Sequence, residues 1–272
     1  MYVSGVALLV NRINCAVFLL GLISSFACYG QSFRGSEDPE NFKIEVTAGG
    51  WLINSGGQIQ ASGTPVDLVN DLGVNQGAGT FYGQLVFKPG RKHRIVVEGT
   101  PFRLNGLKAV TRTIDYRGQT FTVSQTVQSS ATLDYFFAGY QYDVLSGPKG
   151  HLGFSVGGAY LNATGNLSAV QTQTTASKSQ AVGLPLAGVD FRVFPIPHRK
   201  VFDVEGGVRG MAFGDYGYYA EATGSGGLNF GPFAVLAGYR AVNTSIYVNN
   251  SSGPNGLTAR LKGPIFSGVF RW

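Results

Sequence analysis

From residue 42 onward this chain is written with a period of two. Phe42, Ile44, Val46, Ala48 and Leu52 interleave with Lys43, Glu45 and Thr47. Phe81, Leu85 and Phe87 interleave with Tyr82, Gln84 and Lys88, and Ile95 and Val97 stand against Arg94 and Glu98. Ala187, Val189, Phe191 and Val193 alternate with Asp190 and Arg192; Phe202, Val204 and Val208 with Asp203, Glu205 and Arg209. Such alternation puts one chemistry on each face of a strand, and helical spacing fits none of these runs. Composition agrees: 13% charged residues, 40 Gly, 13 Tyr and 19 Phe exclude a disordered chain and a helical bundle.

Marking every run predicts ten strands, near 42–53, 79–88, 93–104, 120–143, 151–162, 182–194, 201–213, 217–230, 233–248 and 257–272. The 120–143 run is too long for one flat strand and implies a bulge or an extension. The connections alternate in length. Long polar stretches (54–78, 105–119, 163–181) face short Pro/Gly turns at 89–92, 145–150 and 195–200. A soluble β-sandwich has no reason to alternate this way, whereas a transmembrane barrel does. Runs of 10 to 13 residues suit a tilted bilayer crossing. Aromatics such as Tyr135-Phe136-Phe137, Tyr140, Tyr142, Tyr216, Tyr218 and Tyr219 fit girdles at the two interfaces. The fold class expected is all-β: an antiparallel up-and-down transmembrane β-barrel of about ten strands, with eight or twelve as the alternative even counts.

Residues 1–30 carry one charge, Arg12, followed by an apolar run over Cys15–Ala27 and small residues before Gln31. That pattern predicts a cleaved secretory signal peptide, then a short segment over 31–41 and the barrel over 42–272. Both cysteines, Cys15 and Cys28, fall in the leader, so the remainder offers no disulfide, thiol nucleophile or Cys-based zinc site. Losing Arg12 takes the formal charge from +6 to +5, carried by scattered residues without a nucleic-acid-binding signature, so nucleic acid is not an expected partner.

The final strand, Leu261-Lys-Gly-Pro-Ile-Phe-Ser-Gly-Val-Phe-Arg-Trp272, ends on an aromatic residue with Phe270 and Phe266 at alternate positions behind it. With Val66–Gly73, the basic turn containing His93 and the strand ending Phe102-Arg-Leu104, it resembles the small single-chain outer-membrane β-barrel proteins of Gram-negative bacteria. The resemblance implies an outer-membrane location, contact with membrane lipid and lipopolysaccharide, and a carboxyl-terminal strand whose Phe266, Phe270 and Trp272 are read by the assembly machinery. Pro264 departs from that pattern and predicts a local bulge, because Pro donates no ladder hydrogen bond.

Closing a sheet with its apolar face toward lipid turns the charged face inward. Lys43, Glu45, Arg94, Glu98, Asp134, Asp190, Arg192, Asp203, Glu205, Arg209, Glu221 and Arg240 are therefore expected to line the interior. Pairing across the 195–200 turn sets Arg192 opposite Asp203 and Asp190 opposite Glu205. Ten strands enclose little free space, so these side chains should form a salt-bridged plug in a structural or porin-like protein. A narrow path for a small hydrophobic or weakly polar solute is the alternative.

Members of the resembled family that are enzymes use histidine near the extracellular rim. Here His93, His151 and His198 all fall at short turns, so no catalytic activity is expected, and no cofactor or metal constellation is implied. Gly224-Ser-Gly226-Gly227 is no dinucleotide fingerprint, because Asn229 stands at the third glycine position. Asn162-Ala-Thr164 and Asn166-Leu-Ser168 match glycosylation sequons, which a bacterial barrel leaves uninformative. The polar stretches 171–180 and 249–256 read as solvated surface or as a contact face for a surface ligand. Val66, Leu68, Val69 and Leu72, at helical spacing, predict a short amphipathic turn over the barrel mouth. An epitope tag within 171–180 is expected to label on intact cells and one within 195–200 is not; labelling at both would rule out the barrel.

Overall fold

The computed structural model describes residues 38–61, 65–74, 77–123, 125–196, 200–250 and 253–272. The expected leader, most of the 31–41 segment and His198 lie outside them. Among the described residues ten strands form one antiparallel sheet: β1 (Ile44–Ala61), β2 (Ala78–Gly90), β3 (His93–Ala109), β4 (Thr126–Gly147), β5 (Gly150–Ala169), β6 (Thr175–Val193), β7 (Phe202–Ala212), β8 (Gly217–Phe230), β9 (Phe233–Asn250) and β10 (Gly253–Arg271). Each pairs with its neighbours in sequence, and β10 pairs back onto β1, so the sheet is closed. Closure leaves no continuous sheet edge, which is what a bilayer requires of strands.

The seam runs from Glu45 opposite Arg271 to Ala61 opposite Asn255. It is interrupted where Leu52 and Ile53 pass Pro264 and Gly263. The register is unchanged on either side, so the bulge expected at Pro264 is absent: the missing N–H leaves a gap in the ladder instead. The Trp51 indole N–H fills part of it, donating to the Gly263 carbonyl at 3.1 Å. A Cβ on Gly263 would lie 1.8 Å from the Leu52 carbonyl oxygen, so the close approach requires glycine.

Nine of the ten strands, at 13 to 22 residues, exceed the 9 to 11 that cross a bilayer, and the surplus stands on the long-connection side. Much of what reads as loop in the sequence is strand. The 163–181 stretch continues as β5 and β6 to a turn at 170–174. Above the membrane both faces are wet, so hydrophobic alternation disappears while the ladder goes on. Polar cross-strand contacts hold it: Thr164 Oγ1 to Ser179 Oγ at 2.9 Å, and Ser177 Oγ to Asn166 Oδ1 at 2.6 Å. The expected fourth run, 120–143, is divided: Gln119–Phe121 belongs to a separate hairpin, and β4 begins only at Thr126 and runs on to Gly147, with a register shift between Asp143 and Leu145.

Inside this extension sits a second apolar cluster. Residues 66–74 form a strap: Val66 and Asp67 pair with β1, and the chain then turns with the Asp67 carboxylate accepting from the Val69 and Asn70 N–H groups at 3.0 and 2.7 Å. Val66, Leu68, Leu72 and Val74 are buried with Ile114, Tyr116 and Phe121 of a small hairpin between β3 and β4. The amphipathic turn read from the sequence is present. Gly106 permits its close approach, since a Cβ there would lie 2.3 Å from the Leu72 carbonyl oxygen.

Arg112 clamps the strap, donating to both carboxylate oxygens of Asp71 and, at 2.6 Å, to the Pro65 carbonyl. Burial opposes ionisation of Asp71, but the hydrogen bonds from Arg112 and the Asp67 N–H outweigh it and hold the carboxyl below its usual range. The pair therefore stabilises fully above the unfolded value of about 3.9 and is lost as pH falls through the lower folded value. Amide exchange over 66–74, corrected for intrinsic rates, should be flat from pH 8 to 5 and rise in the acid range. Arg112→Gln should show the fast exchange already at pH 7.

Candidate functional site

The inward face is the candidate site, and it contains two layers of charge. The layer at the short-turn end is organised by Arg192 of β6. Its guanidinium donates to Glu205 on the adjacent β7 at 2.7 Å, to Glu45 on β1 at 2.9 Å across the interior, and to Glu40 at 3.1 Å. Glu40 precedes the first strand, and its carboxylate enters the barrel from below. There it accepts from Arg94 at 2.6 Å and lies 3.2 Å from His151 Nδ1. Its backbone carbonyl accepts from Lys88 Nζ at 2.7 Å. Arg94 also donates to Asp143 at 2.7 Å, and Arg271 to Glu45 at 2.6 Å and Asn229 at 2.6 Å. All of these except Glu205 and Asn229 are buried.

The second layer lies nearer the middle of the barrel. Arg240 bridges Glu98 and Glu221, the latter at 2.8 Å, and Arg209 reaches Glu98 at 3.3 Å and the Tyr135 hydroxyl at 3.2 Å. The Tyr219 hydroxyl donates to Glu221 at 2.8 Å. Aromatic faces complete the solvation that water would supply: Arg240 lies 5.1 Å from the Trp51 ring and 5.0 Å from Tyr82, and Arg209 stacks at 3.8 Å on Phe137. A cavity of about 120 Å³ separates the layers, lined by Gln84, Gln141, Asp190, Thr223 and Ser225 among others.

Ten of the twelve residues expected inside face the interior: Glu45, Arg94, Glu98, Asp190, Arg192, Asp203, Glu205, Arg209, Glu221 and Arg240. Two do not. Lys43 is exposed and Phe42 takes the inward position, its ring 4.6 Å from Lys88 Nζ. The N–H groups of Lys43 and Ile44 both donate to the Trp272 carbonyl, and this two-against-one pairing reverses the parity ahead of Glu45. Asp134 points outward between inward Tyr135 and Leu133, pairing with Arg103 at 2.6 Å on the exposed wall. It lies in the protruding half of β4, where an outward charge meets water.

The expected pairing of Arg192 with Asp203 is also corrected. The register sets Arg192 opposite Glu205 and Asp190 opposite Gly207, and Asp203 lies near Arg271 at 3.8 Å. Tyr135, Phe137 and Tyr219, read as girdle residues, face inward. The sequence reading omitted Glu40, Lys88, Asp143, His151 and Arg271. Lys88, Asp143 and Arg271 share the inward parity of their strands, and counting back from the turns would have found them. Glu40 precedes the first strand, where no periodicity points to it.

Phe266, Phe270 and Trp272 share the outward face of β10, all exposed, with Phe270 against Phe233 at 4.9 Å between ring centres.

Removing Arg192 leaves the Glu205 carboxylate without its ion-pair partner and takes one of several partners from buried Glu40 and Glu45. Arg192→Met should destabilise the barrel by about 3–5 kcal/mol, as breaking a buried pair generally does. The readout is a lower temperature for the folded-to-unfolded band shift in detergent electrophoresis; Arg103→Met, on the outer wall, should leave it unchanged.

No protein-family model matches the chain, and no curated protein does. Solved structures do match. The outer-membrane protease OmpT of Escherichia coli superposes with a TM-score of 0.54 at 10% identity, over 89% of this chain and 100% of that one. The translocator domain of the autotransporter NalP from Neisseria meningitidis gives 0.47 at 12% identity, covering 96% and 98%. The attachment invasion locus protein Ail of Yersinia pestis, in complex with a heparin analogue, gives 0.35 at 8%, covering 85% and 99%. At these identities the likeness concerns fold alone. Closed through ten antiparallel strands with apolar residues outward, the chain has the fold of the bacterial outer-membrane β-barrels.

Proposed function

We propose that the chain is a surface-exposed structural barrel of the outer membrane, porin-like in form, with an interior closed by its own ion pairs. Glu40 supports this reading most directly. A carboxylate from outside the sheet is drawn into the short-turn end and buried among Arg94, Arg192, Lys88 and His151. The Arg209–Glu98–Arg240–Glu221 layer lies above it, and the apolar strap and hairpin cluster sits at the far end. On this reading the leader over 1–30 directs export, and the long-connection end faces outside the cell. The wall packs among outer-membrane lipids and lipopolysaccharide, and Phe266, Phe270 and Trp272 form the mark that the assembly machinery reads.

The proposed protein is not an enzyme. Of the two described histidines, His93 lies exposed at a short turn against Tyr140 and Tyr142, and His151 is buried on Glu40. Neither faces the long-connection rim. A second reading, a narrow path for a small weakly polar solute, draws support from the 120 Å³ cavity, which has room for about four waters at liquid density.

Single-channel recording in planar bilayers tests closure. The wild-type barrel should conduct far less than an open pore, and Glu40→Ala in a chain whose 66–74 strap is replaced by a Gly/Ser linker should raise conductance severalfold while the protein still migrates as a folded, heat-modifiable band. Open-pore conductance in the wild type would overturn the closed-interior reading.

A further inference from the structure

The outer wall carries a groove that the closed interior does not explain. It has a volume of about 820 Å³ and crosses the lipid-facing surface of β5 to β10. The register places Phe154, Val189, Val208, Ala222, Ala241 and Lys262 in one continuous row of paired residues. Five steps of about 4.8 Å make the row about 24 Å long. The neighbouring row continues the pattern, with Gly210 and Ala220 leading to Asn243 and Arg260. The floor is lowest at Gly210, Ala220, Ala222 and Ala241, whereas large side chains such as Phe81, Tyr160 and Phe266 stand outward elsewhere on the wall.

The two ends of the groove differ in chemistry and in height. Phe154 lies five residues above the 148–149 turn, while Lys262 and Arg260 stand ten and twelve residues above Trp272. At a tilt near 40° these positions correspond to about 12 Å and to about 25–30 Å above the short-turn interface. The apolar end is thus near mid-membrane, and the cationic end is at the far headgroup level. Both cations are exposed, and among the described residues neither has an ion-pair or hydrogen-bond partner. A pair of unneutralised cations at the head of an apolar trough complements a molecule with an anionic head and a hydrocarbon tail.

We propose that this groove binds a phosphate-bearing acylated lipid of the outer leaflet. Its phosphate lies between Arg260 and Lys262, and one acyl chain runs obliquely down over Ala241, Ala222 and Val208 toward Phe154. The assignment rests on the outer-membrane reading above. It goes further by naming a site on one side of the barrel and the chemistry it selects.

The test uses the full chain extracted from outer membranes in mild detergent and examined by native mass spectrometry. Diphosphorylated lipid A is then added back, beside a phosphate-free lipid of matched acyl length. The wild type should retain one phosphate-bearing lipid per barrel and rebind lipid A in preference. Arg260→Gln with Lys262→Gln should weaken that binding by roughly tenfold or more, given about 1 kcal/mol for each cation at a membrane surface. Ala222→Trp, which fills the floor and leaves both cations in place, should weaken it as well. All variants should remain heat-modifiable and in the outer-membrane fraction, because the substituted side chains point away from the interior.

Unchanged binding in either variant would overturn the site. So would equal binding of the phosphate-free lipid, or a change of oligomeric mass in Ala222→Trp, which would make a second copy of the chain the occupant. Absence of the wild type from the outer membrane would instead overturn the reading on which the proposal rests.

Discussion

A strand edge exposed to hydrocarbon has no water to satisfy its N–H and C=O groups, so the pairing of β1 with β10 is the constraint from which the rest follows. At the short-turn end the carbonyl of the last residue, Trp272, accepts from both Lys43 and Ile44, which fixes where the two termini of the sheet meet. The same contact reverses the side-chain parity, sending Phe42 inward and Lys43 outward. The one interruption of the seam falls where Pro264 has no proton to donate, and Trp51 bridges it from the interior. Closure therefore reaches through the wall: the side chain that repairs the seam is also a wall of the Arg240 site.

Once the apolar face is turned to lipid, the polar face is confined inside a small barrel, where desolvation penalises every unpaired charge. The interior answers with shared partners in place of isolated pairs. Arg192 meets Glu40, Glu45 and Glu205; Glu98 meets Arg209 and Arg240. These contacts join strands on opposite sides of the barrel, and Glu40 and Arg192 are separated by 152 residues. They form only when the sheet is closed, so the charged interior specifies the closed form over an open sheet with the same hairpins.

Strand number, alternating connections and most of the inward charges could be read from the sequence, because lipid on one side and a polar interior on the other impose a strict period of two. Legibility ends where that asymmetry ends. Above the membrane both faces are wet, and the strands through Asn162–Ser168 and Ser177–Ser179 read as loops although the ladder continues. Asp134 was misplaced for the same reason. At the short-turn end, a single shared carbonyl shifted Lys43 out of register. The pairing of Arg192 with Glu205 was not legible either, because a period of two does not report register. Glu40 was invisible: its role comes from three-dimensional convergence on a segment with no pattern of its own.

The interior changes character along the axis, and the change follows from the same asymmetry. At membrane depth the strands must present polar groups inward, and long side chains of both signs neutralise one another there. Beyond the membrane the wall is wet outside and needs no polar lining, so the interior can be filled by an ordinary apolar cluster. The chain supplies it from two connections, the 66–74 strap and the 114–121 hairpin, with Phe121, Ile114 and Val66 almost fully buried. On the closed-barrel reading, an ion moving inward meets an apolar obstacle before a charged one, and an apolar solute meets the reverse penalty at the second stage. On that reading, two fillings of opposite chemistry in series would exclude both classes, which neither filling would do alone.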